Sequence, residues 1–219
     1  MSPEQTRPRR RGRPSSPVLS REGITTAAIR IVSTRGYRDL TMASLARELG
    51  VSTSALYNHV SSKRDVMLLL QDRLNEQIDT TGFQSLPWDQ ALRRWAISYR
   101  DCYIRHTELI PIMAVLPVAD APQTLVMYER VTAALEDAGI PGPDAVDVIV
   151  GVEALVFGAA YDASAPADIF DPGRRADLAP RFGRAAAARD EDARAAADRA
   201  FLFTLDSLID GLRRRVATE

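Results

Sequence analysis

Twenty residues constrain this chain most: Thr41-Met-Ala-Ser-Leu-Ala-Arg-Glu-Leu-Gly-Val-Ser-Thr-Ser-Ala-Leu-Tyr-Asn-His-Val60. Leu45, Ala46 and Leu49 recur at helical spacing, Gly50 stops the run, and a second apolar set follows at Val51, Leu56 and Val60. The pattern predicts two short helices joined by a tight turn, with Thr41 and Ser52 as their N-caps. Gly50 suits the turn because the chain there must take a left-handed conformation. Ala46 is small enough to let the two helices cross closely. Leu45, Leu49, Val51, Leu56 and Val60 then form a small core that sets the crossing angle, and the second helix runs to about Val60. Its other face carries Thr53, Ser54, Tyr57 and Asn58, short or planar hydrogen-bonding groups suited to base edges and phosphates in a major groove.

The flanking sequence extends the same pattern. Ile24, Ala27, Ala28, Ile31 and Val32 predict a helix from Ser20 to the stop at Gly36. Ser62-Lys-Arg-Asp65 resembles a capping box and opens a longer helix with Val66, Leu69, Leu70 and Leu74 on its apolar face. Residues 80–87 form a break containing Gly82 and Pro87. Beyond it, helices fit 88–106, 108–116, 121–138, 144–162 and 192–216, with prolines and Gly139 at or near the joints. Residues 163–191, rich in Ala, Arg, Asp and Pro, read as a long loop with one short helix. No useful β-alternation occurs. The expected fold is all-α: an N-terminal three-helix helix-turn-helix unit and a C-terminal helical bundle. Three segments follow: a disordered basic arm over 1–18, a head over 19–79 and a body over 80–219.

Charge divides along the same line. The whole chain has 28 Lys and Arg against 29 Asp and Glu, a net charge of −1. Residues 1–65 hold 12 basic and 5 acidic residues, a surplus of +7, and the remainder holds 16 against 24, a deficit of −8. A basic head on an acidic body points the head at a polyanion, although five of the positive charges sit in residues 7–13 and also fit a solvated tail. One cysteine, Cys102, excludes an intrachain disulfide and a thiolate zinc cluster, so no metal and no cofactor are expected. The N-terminus is arginine-rich with no apolar stretch behind it, unlike a secretory signal. The run Val148 to Tyr161 is interrupted by Glu153 and is too short for a bilayer. The expectation is a cytoplasmic protein with no membrane partner.

The head resembles the tetracycline-repressor (TetR) family. Leu40-Thr41, Leu45-Ala46, Leu49-Gly50-Val51-Ser52, Leu56-Tyr57-x-His59-Val60 and Lys63 stand at the spacing of that family's signature, and the preceding helix ends in Gly36-Tyr37. The likeness covers about residues 19–79. It implies that Thr53, Ser54 and Asn58 face the groove, and that Tyr57, His59, Thr41 and Lys63 contact phosphates. Ser52 caps the recognition helix and is counted with these DNA-contacting residues. Two departures stand out. Ala43 occupies a position where some members place a base-reading Arg, which leaves Ser44 as a weak substitute, and Ala55 stands where a hydroxyl residue is common. His59 also fits a surface histidine beside a turn. Arg9-Arg-Arg-Gly-Arg-Pro14 precedes the head, and Arg11 and Arg13 fit either insertion into an A·T-rich minor groove or a loose cationic tail.

In the body, Trp88, Leu92, Trp95, Tyr99, Tyr103 and His106 make a stripe at helical spacing. Such stripes are more often plain core than ligand box. The family resemblance points the other way, because the matching helices line an inducer cavity there. On that reading Trp95, Tyr99, Tyr103, His106, Met113, Met127, Tyr128 and Phe157 surround a small-molecule effector. Two further helices have wide apolar faces: Ala145, Val148, Ile149, Val152, Leu155, Val156 and Ala159 on one, Phe201, Leu205, Leu208, Ile209 and Leu212 on the other. Both fit burial within one chain. The resemblance implies instead a four-helix homodimer interface through 144–162 and 192–216, with Gly151, Gly158 and Ala159 allowing close contact. The expected function is therefore a transcriptional regulator that represses from a palindromic operator in double-stranded DNA and is released by a small molecule. Two other functions were set against it. An enzyme would need one of the nucleophile, phosphate-loop, dinucleotide or metal motifs, which are absent. A ligand-independent architectural DNA-binding protein would need no large acidic body.

Overall fold

The computed structural model describes residues 19–189 and 192–217. The expected arm over 1–18, with Arg11 and Arg13, lies outside the described residues. Among those described there are ten α-helices, several short 3-10 turns and no strand.

Four helices build the head: α1 (Arg21–Arg35), α2 (Met42–Leu49), α3 (Thr53–Tyr57) and α4 (Lys63–Asn75). Each starts on a hydroxyl that accepts an otherwise unpaired backbone N–H. Ser20 Oγ accepts from Gly23 N at 3.1 Å and Ser52 Oγ from Ala55 N at 3.1 Å. Thr41 and Ser44 form a reciprocal box: Thr41 Oγ1 accepts from Ser44 N at 3.0 Å, and Ser44 Oγ accepts from Thr41 N at 2.9 Å. At α4 the box is displaced by one residue. Ser62 Oγ accepts from Asp65 N, but Asp65 Oδ2 accepts from Ser61 N at 2.8 Å instead of Ser62 N. The Ser62 hydroxyl and these N–H groups hold the Asp65 carboxyl below its ordinary range. Gly50 takes φ +67°, ψ +28°, the left-handed conformation the tight turn requires. Leu45, Ala46, Leu56 and Val60 are buried beneath it with Ile24, Ala28, Ile31 and Leu40 of the first helix and its loop.

The helix α3 is shorter than expected. It stops at Tyr57, and the N–H groups of His59 and Val60 both return to Leu56 O, so Asn58 and His59 lie in the closing turn.

The body contains α5 (Trp88–Ile104), α6 (Ile110–Met113), α7 (Pro122–Asp137), α8 (Gly142–Asp162), α9 (Pro180–Ala187) and α10 (Ala193–Val216). The helix expected over 108–116 is instead a 3-10 turn, Thr107–Leu109, followed by four α-helical residues. Pro111 sits at its first turn, where a missing N–H costs nothing, while Pro117 disfavours a helical conformation at Leu116 and limits the segment from behind. Residues 163–189 hold more helix than expected, a 3-10 segment over Gly173–Leu178 and then α9. In the body α5 packs on α8, which also meets α7 and α10. Arg93–Asp206 at 2.7 Å, Arg100–Asp198 at 2.5 Å and the Arg213–Asp89 pair tie α10 to α5.

One helix belongs to both units. The helix α4 packs against α1 on one side and α7 on the other. Its last buried residue, Asn75, donates from Nδ2 to Thr124 Oγ1 at 2.8 Å and accepts the Tyr103 hydroxyl on Oδ1 at 3.3 Å. Asp72 Oδ1 accepts Gln123 N at 2.6 Å at the start of α7. The buried apolar residues form one continuous core through head and body.

Candidate functional site

The sequence-predicted DNA-facing residues separate into two groups. Thr41, Ser52, Thr53, Ser54, Tyr57, Asn58 and His59 are all exposed, clustered on α3, its cap and the start of α2. Tyr57, at 49% exposed, is a large ring left in solvent, unlike its apolar neighbour Leu56 at 0%. The short α3 therefore shows one buried face and one polar face, with the Ser52 and Ser54 hydroxyls 3.1 Å apart. Such a surface offers donors and acceptors within one helical turn.

The second group is already engaged. Ser44 is half-buried, and its hydroxyl donates to Asp39 O at 2.6 Å while accepting Thr41 N. As the N3 member of the capping box it has no free hydrogen-bonding role, so the stand-in for a base-reading arginine is spoken for. Lys63 is also half-buried. Its Nζ donates to Tyr37 O at 3.2 Å and lies 3.6 Å above the Tyr37 ring. A cation–π contact of this kind holds an ammonium by about 0.5–1 kcal/mol at an exposed site. Of the other head cations, Arg30 and Arg35 both bind Glu48, at 3.2 and 2.8 Å. Arg38, Arg47 and Arg64 are exposed.

Inside the body, the predicted aromatic residues do come together. Trp95 and Tyr99 have ring centroids 5.6 Å apart, Tyr99 and Tyr103 5.4 Å, and Phe157 meets Tyr99 at 5.7 Å and Tyr103 at 5.0 Å. Trp95, Tyr99, Tyr103, Met113 and Met127 are buried, and Tyr128, Phe157 and His106 are half-buried. Their rings touch one another directly. A cavity of about 430 Å³ lies elsewhere, between the end of α8, α9 and the start of α10, lined among others by Ile169, Phe170, Ala186 and Arg189. None of the predicted effector residues lines it.

Sequence reasoning passed over Glu153. Its Oε1 accepts the Tyr99 hydroxyl at 2.7 Å and the Tyr128 hydroxyl at 2.5 Å. Burial pushes its carboxyl above the ordinary range, and the two hydroxyl bonds pull against that rise. Burial likewise drives the phenols of Tyr99, Tyr103 and Tyr128 upward and lowers the His106 imidazole. The available signal was Glu153 as the one charge in the apolar run Val148 to Tyr161. Asn75 and Thr124 were also missed, since a polar residue on an amphipathic helix reads as surface. Two buried polar atoms here have no partner among the described residues, Trp95 Nε1 and His106 Nδ1.

The expected subunit face changes in detail. Phe201, Leu205, Ile209 and Leu212 point into the protein's own core and are at most 8% exposed. The outer faces are different residues of the same helices: Val146, Val150 and Tyr161 on α8, at 53%, 59% and 46%, and Phe203 on α10, at 74%. Gly151, Gly158 and Gly211 have open space where a side chain would stand.

No helix among the described residues is long and apolar enough to cross a membrane, and no group of three or more metal-ligating side chains occurs among them. Comparison with known proteins agrees with the two-unit architecture. The tetracycline repressor protein class E of Escherichia coli is 28% identical over 199 residues, covering 88% of this chain and 90% of that protein. The transcriptional repressor DrrR1 of Streptomyces coeruleorubidus is 28% identical over 153 residues, 69% of this chain. The match spans 56% of DrrR1 and 64% of a Saccharopolyspora erythraea regulator. Among solved structures, the Streptomyces coelicolor TetR family protein ActR in complex with (S)-DNPA superposes with a TM-score of 0.74 at 23% identity, over 90% of this chain and 98% of that one. Residues 24–70 match the bacterial regulatory proteins of the tetR family and residues 85–216 the tetracyclin repressor-like C-terminal domain, so the chain belongs to the TetR family of transcriptional regulators.

Proposed function

We propose that the protein is a homodimeric, non-enzymatic, cytoplasmic repressor that binds a palindromic operator and is released when a small molecule enters its body. The observation that carries this reading is the continuity of α4. Its first turn closes the DNA-facing unit, and its last turn is locked by Asn75 to Tyr103 of the aromatic cluster and to Thr124 of α7. A ligand that parts those rings disturbs Asn75 directly and tilts α4 with the head attached. Thr53, Ser54 and Asn58 read bases, and Thr41, Tyr57, His59 and Lys63 hold phosphates once Lys63 leaves the Tyr37 ring. Once the rings part, Trp95, Tyr99, Tyr103, His106, Met113, Met127, Tyr128 and Phe157 surround the effector. The solved complex of ActR with (S)-DNPA lends support from a protein of the same fold.

Dimerisation uses the outer faces of α8 and α10. Val150, Gly151, Ala154, Gly158 and Phe203 are exposed there, and a groove between the helices is bordered by Gly151, Leu208 and Gly211. Two-fold symmetry then sets the recognition helices roughly 34 Å apart, one turn of DNA. A ligand that converts a mostly bound population to a mostly released one must prefer the released form by about 5 kcal/mol, shared between two sites. The test is a gel shift against the DNA upstream of the protein's own gene, with and without metabolite extracts. A shift that an extract component abolishes is expected. No shift removes the DNA-binding role, and a shift that every extract leaves intact favours an architectural protein without an effector.

A further inference from the structure

Glu153 lies midway along α8 among aromatic side chains, with Tyr99 and Tyr128 both donating to its Oε1. Oε2 takes no donor among the described residues, and it is not sealed from solvent. No Lys, Arg or His among the described residues pairs with this carboxylate, whereas Arg93, Arg100 and Arg213, which join α5 to α10, each have an aspartate. A half-buried anion without a counter-ion is costly to keep. A glutamine would accept the same two hydroxyls without burying a charge. What the carboxylate adds over an amide is its negative charge, which no cationic side chain among the described residues is shown to neutralise.

The surroundings suit a cation. Phe157 stands nearly perpendicular to Tyr99, at 85°, and at 68° to Tyr103. A ring face attracts positive charge through its quadrupole, so a cation admitted beside Glu153 when these rings part meets such faces. Trp95, one turn before Tyr99 on α5, is completely buried and packs on the Tyr99 ring at 5.6 Å between centroids.

We infer that this aromatic cluster, once its rings part, takes an aromatic, positively charged small molecule, a quaternary or protonated amine borne on a ring, with Glu153 as its counter-ion and Tyr99, Tyr103 and Phe157 as its walls. The inference rests on the interior effector site proposed above and narrows that site to one charge class. The hydroxyls of Tyr99 and Tyr128 are positioning groups: they hold Oε1 and turn Oε2 toward the ligand. Binding needs the rings to part, because they touch in the unliganded chain, and the ring they share with α4 is Tyr103, which reaches Asn75.

The test uses two probes of the same shape, phenyltrimethylammonium and its neutral isostere tert-butylbenzene, titrated calorimetrically into the full-length protein. The cation is expected to bind more tightly by about tenfold or more, the scale of a desolvated cation–π and ion-pair contact. Glu153→Gln should abolish that preference and leave tert-butylbenzene unchanged. Tyr128→Phe keeps the charge while dropping one hydroxyl. It should retain the cation preference, which keeps the test decisive even if the Glu153 variant folds poorly. A preference that survives Glu153→Gln in folded protein overturns the assignment. Binding of tert-butylbenzene in place of the cation also overturns it, while leaving the interior site standing. Binding of neither probe removes the interior site together with its charge class.

Discussion

The Lys63 ammonium lies over the Tyr37 ring and donates to the Tyr37 carbonyl, so reaching a phosphate means giving up both contacts. Asn58 has no such commitment, because it is exposed at the end of α3 and its side chain makes no hydrogen bond among the described residues. The two residues should therefore behave differently on substitution. Lys63→Ala is expected to lower head stability by about 0.5–1 kcal/mol, weaken binding to every duplex and reduce the salt slope by about 1. Asn58→Ala should leave stability unchanged and cost about 1–3 kcal/mol on the matched operator alone. Fluorescence anisotropy on matched and scrambled duplexes at several salt concentrations separates them, and equal losses on both duplexes would remove the assignment of roles. His106 yields a pH prediction. Burial lowers its imidazole below the ordinary 6.5, with Glu108 opposing and Arg105 assisting that shift. The unfolded chain then binds the proton before the folded one does, so stability must fall as pH drops from about 7 through the ordinary histidine range. His106→Gln should flatten this slope in thermal melts between about pH 7 and 5. A variant that tracks the parent across that window would place the imidazole in water.

At the scale of elements, the turn between α2 and α3 is the most demanding piece of backbone in the head. Gly50 has φ +67° and nothing within 4 Å of where a Cβ would stand. Any penalty on adding a side chain there is thus conformational, not steric crowding by neighbours. Gly50→Ala should destabilise the protein by about 1–2 kcal/mol, the cost of placing an L-residue in the left-handed region. A melting temperature equal to that of the parent would mean the turn tolerates another geometry. The other elements show where reading from sequence works and where it stops. Caps at Thr41, Ser52 and Ser62 were legible because they depend on neighbours within four residues. The end of α3 and the fate of residues 108–116 were not. Periodicity extends a helix until a strong breaker appears, whereas α3 tightens at its end, where the N–H groups of Asn58 and His59 turn back to the carbonyls of Ala55 and Leu56 three residues earlier.

For the whole molecule, the dimer reading makes a sharp contrast between two residues on α10. Phe203 is 74% exposed and Leu205 is 0% exposed. Phe203→Glu should leave the melting of the isolated subunit intact while shifting sedimentation from dimer to monomer and removing operator binding with it. Leu205→Glu should instead unfold the body, since it places an unpaired charge in the core at a cost of several kcal/mol. An unchanged dimer in Phe203→Glu would move the interface off this face. The same logic joins the two units. With α4 tied to α1 and α7 at once and one core running through both, the head has no independent hinge of its own. Motion at the rings around Tyr103 has a short route to the DNA-facing surface, through Asn75.

Local sequence alone determined the helix-turn-helix segment. Its evidence is short-range: a hydroxyl cap, an apolar pair, a glycine and an exposed polar turn within twenty residues. The all-helical body and its aromatic stripe were equally readable, because period and proline placement are properties of the chain itself. Which side of α8 and α10 faces inward was decided only in three dimensions, since both faces carry apolar residues and only packing chooses between them, of α8 on α5 and α7 and of α10 on α5 and α8. The same holds for Glu153, Asn75 and Thr124. A polar residue becomes an anchor or a lock when partners distant in sequence arrive beside it, as Tyr99 and Tyr128 do for Glu153 and Tyr103 does for Asn75. Lys63 and Ser44 show the converse. Their residue types suit DNA, and the fold binds both to its own backbone before any DNA is present.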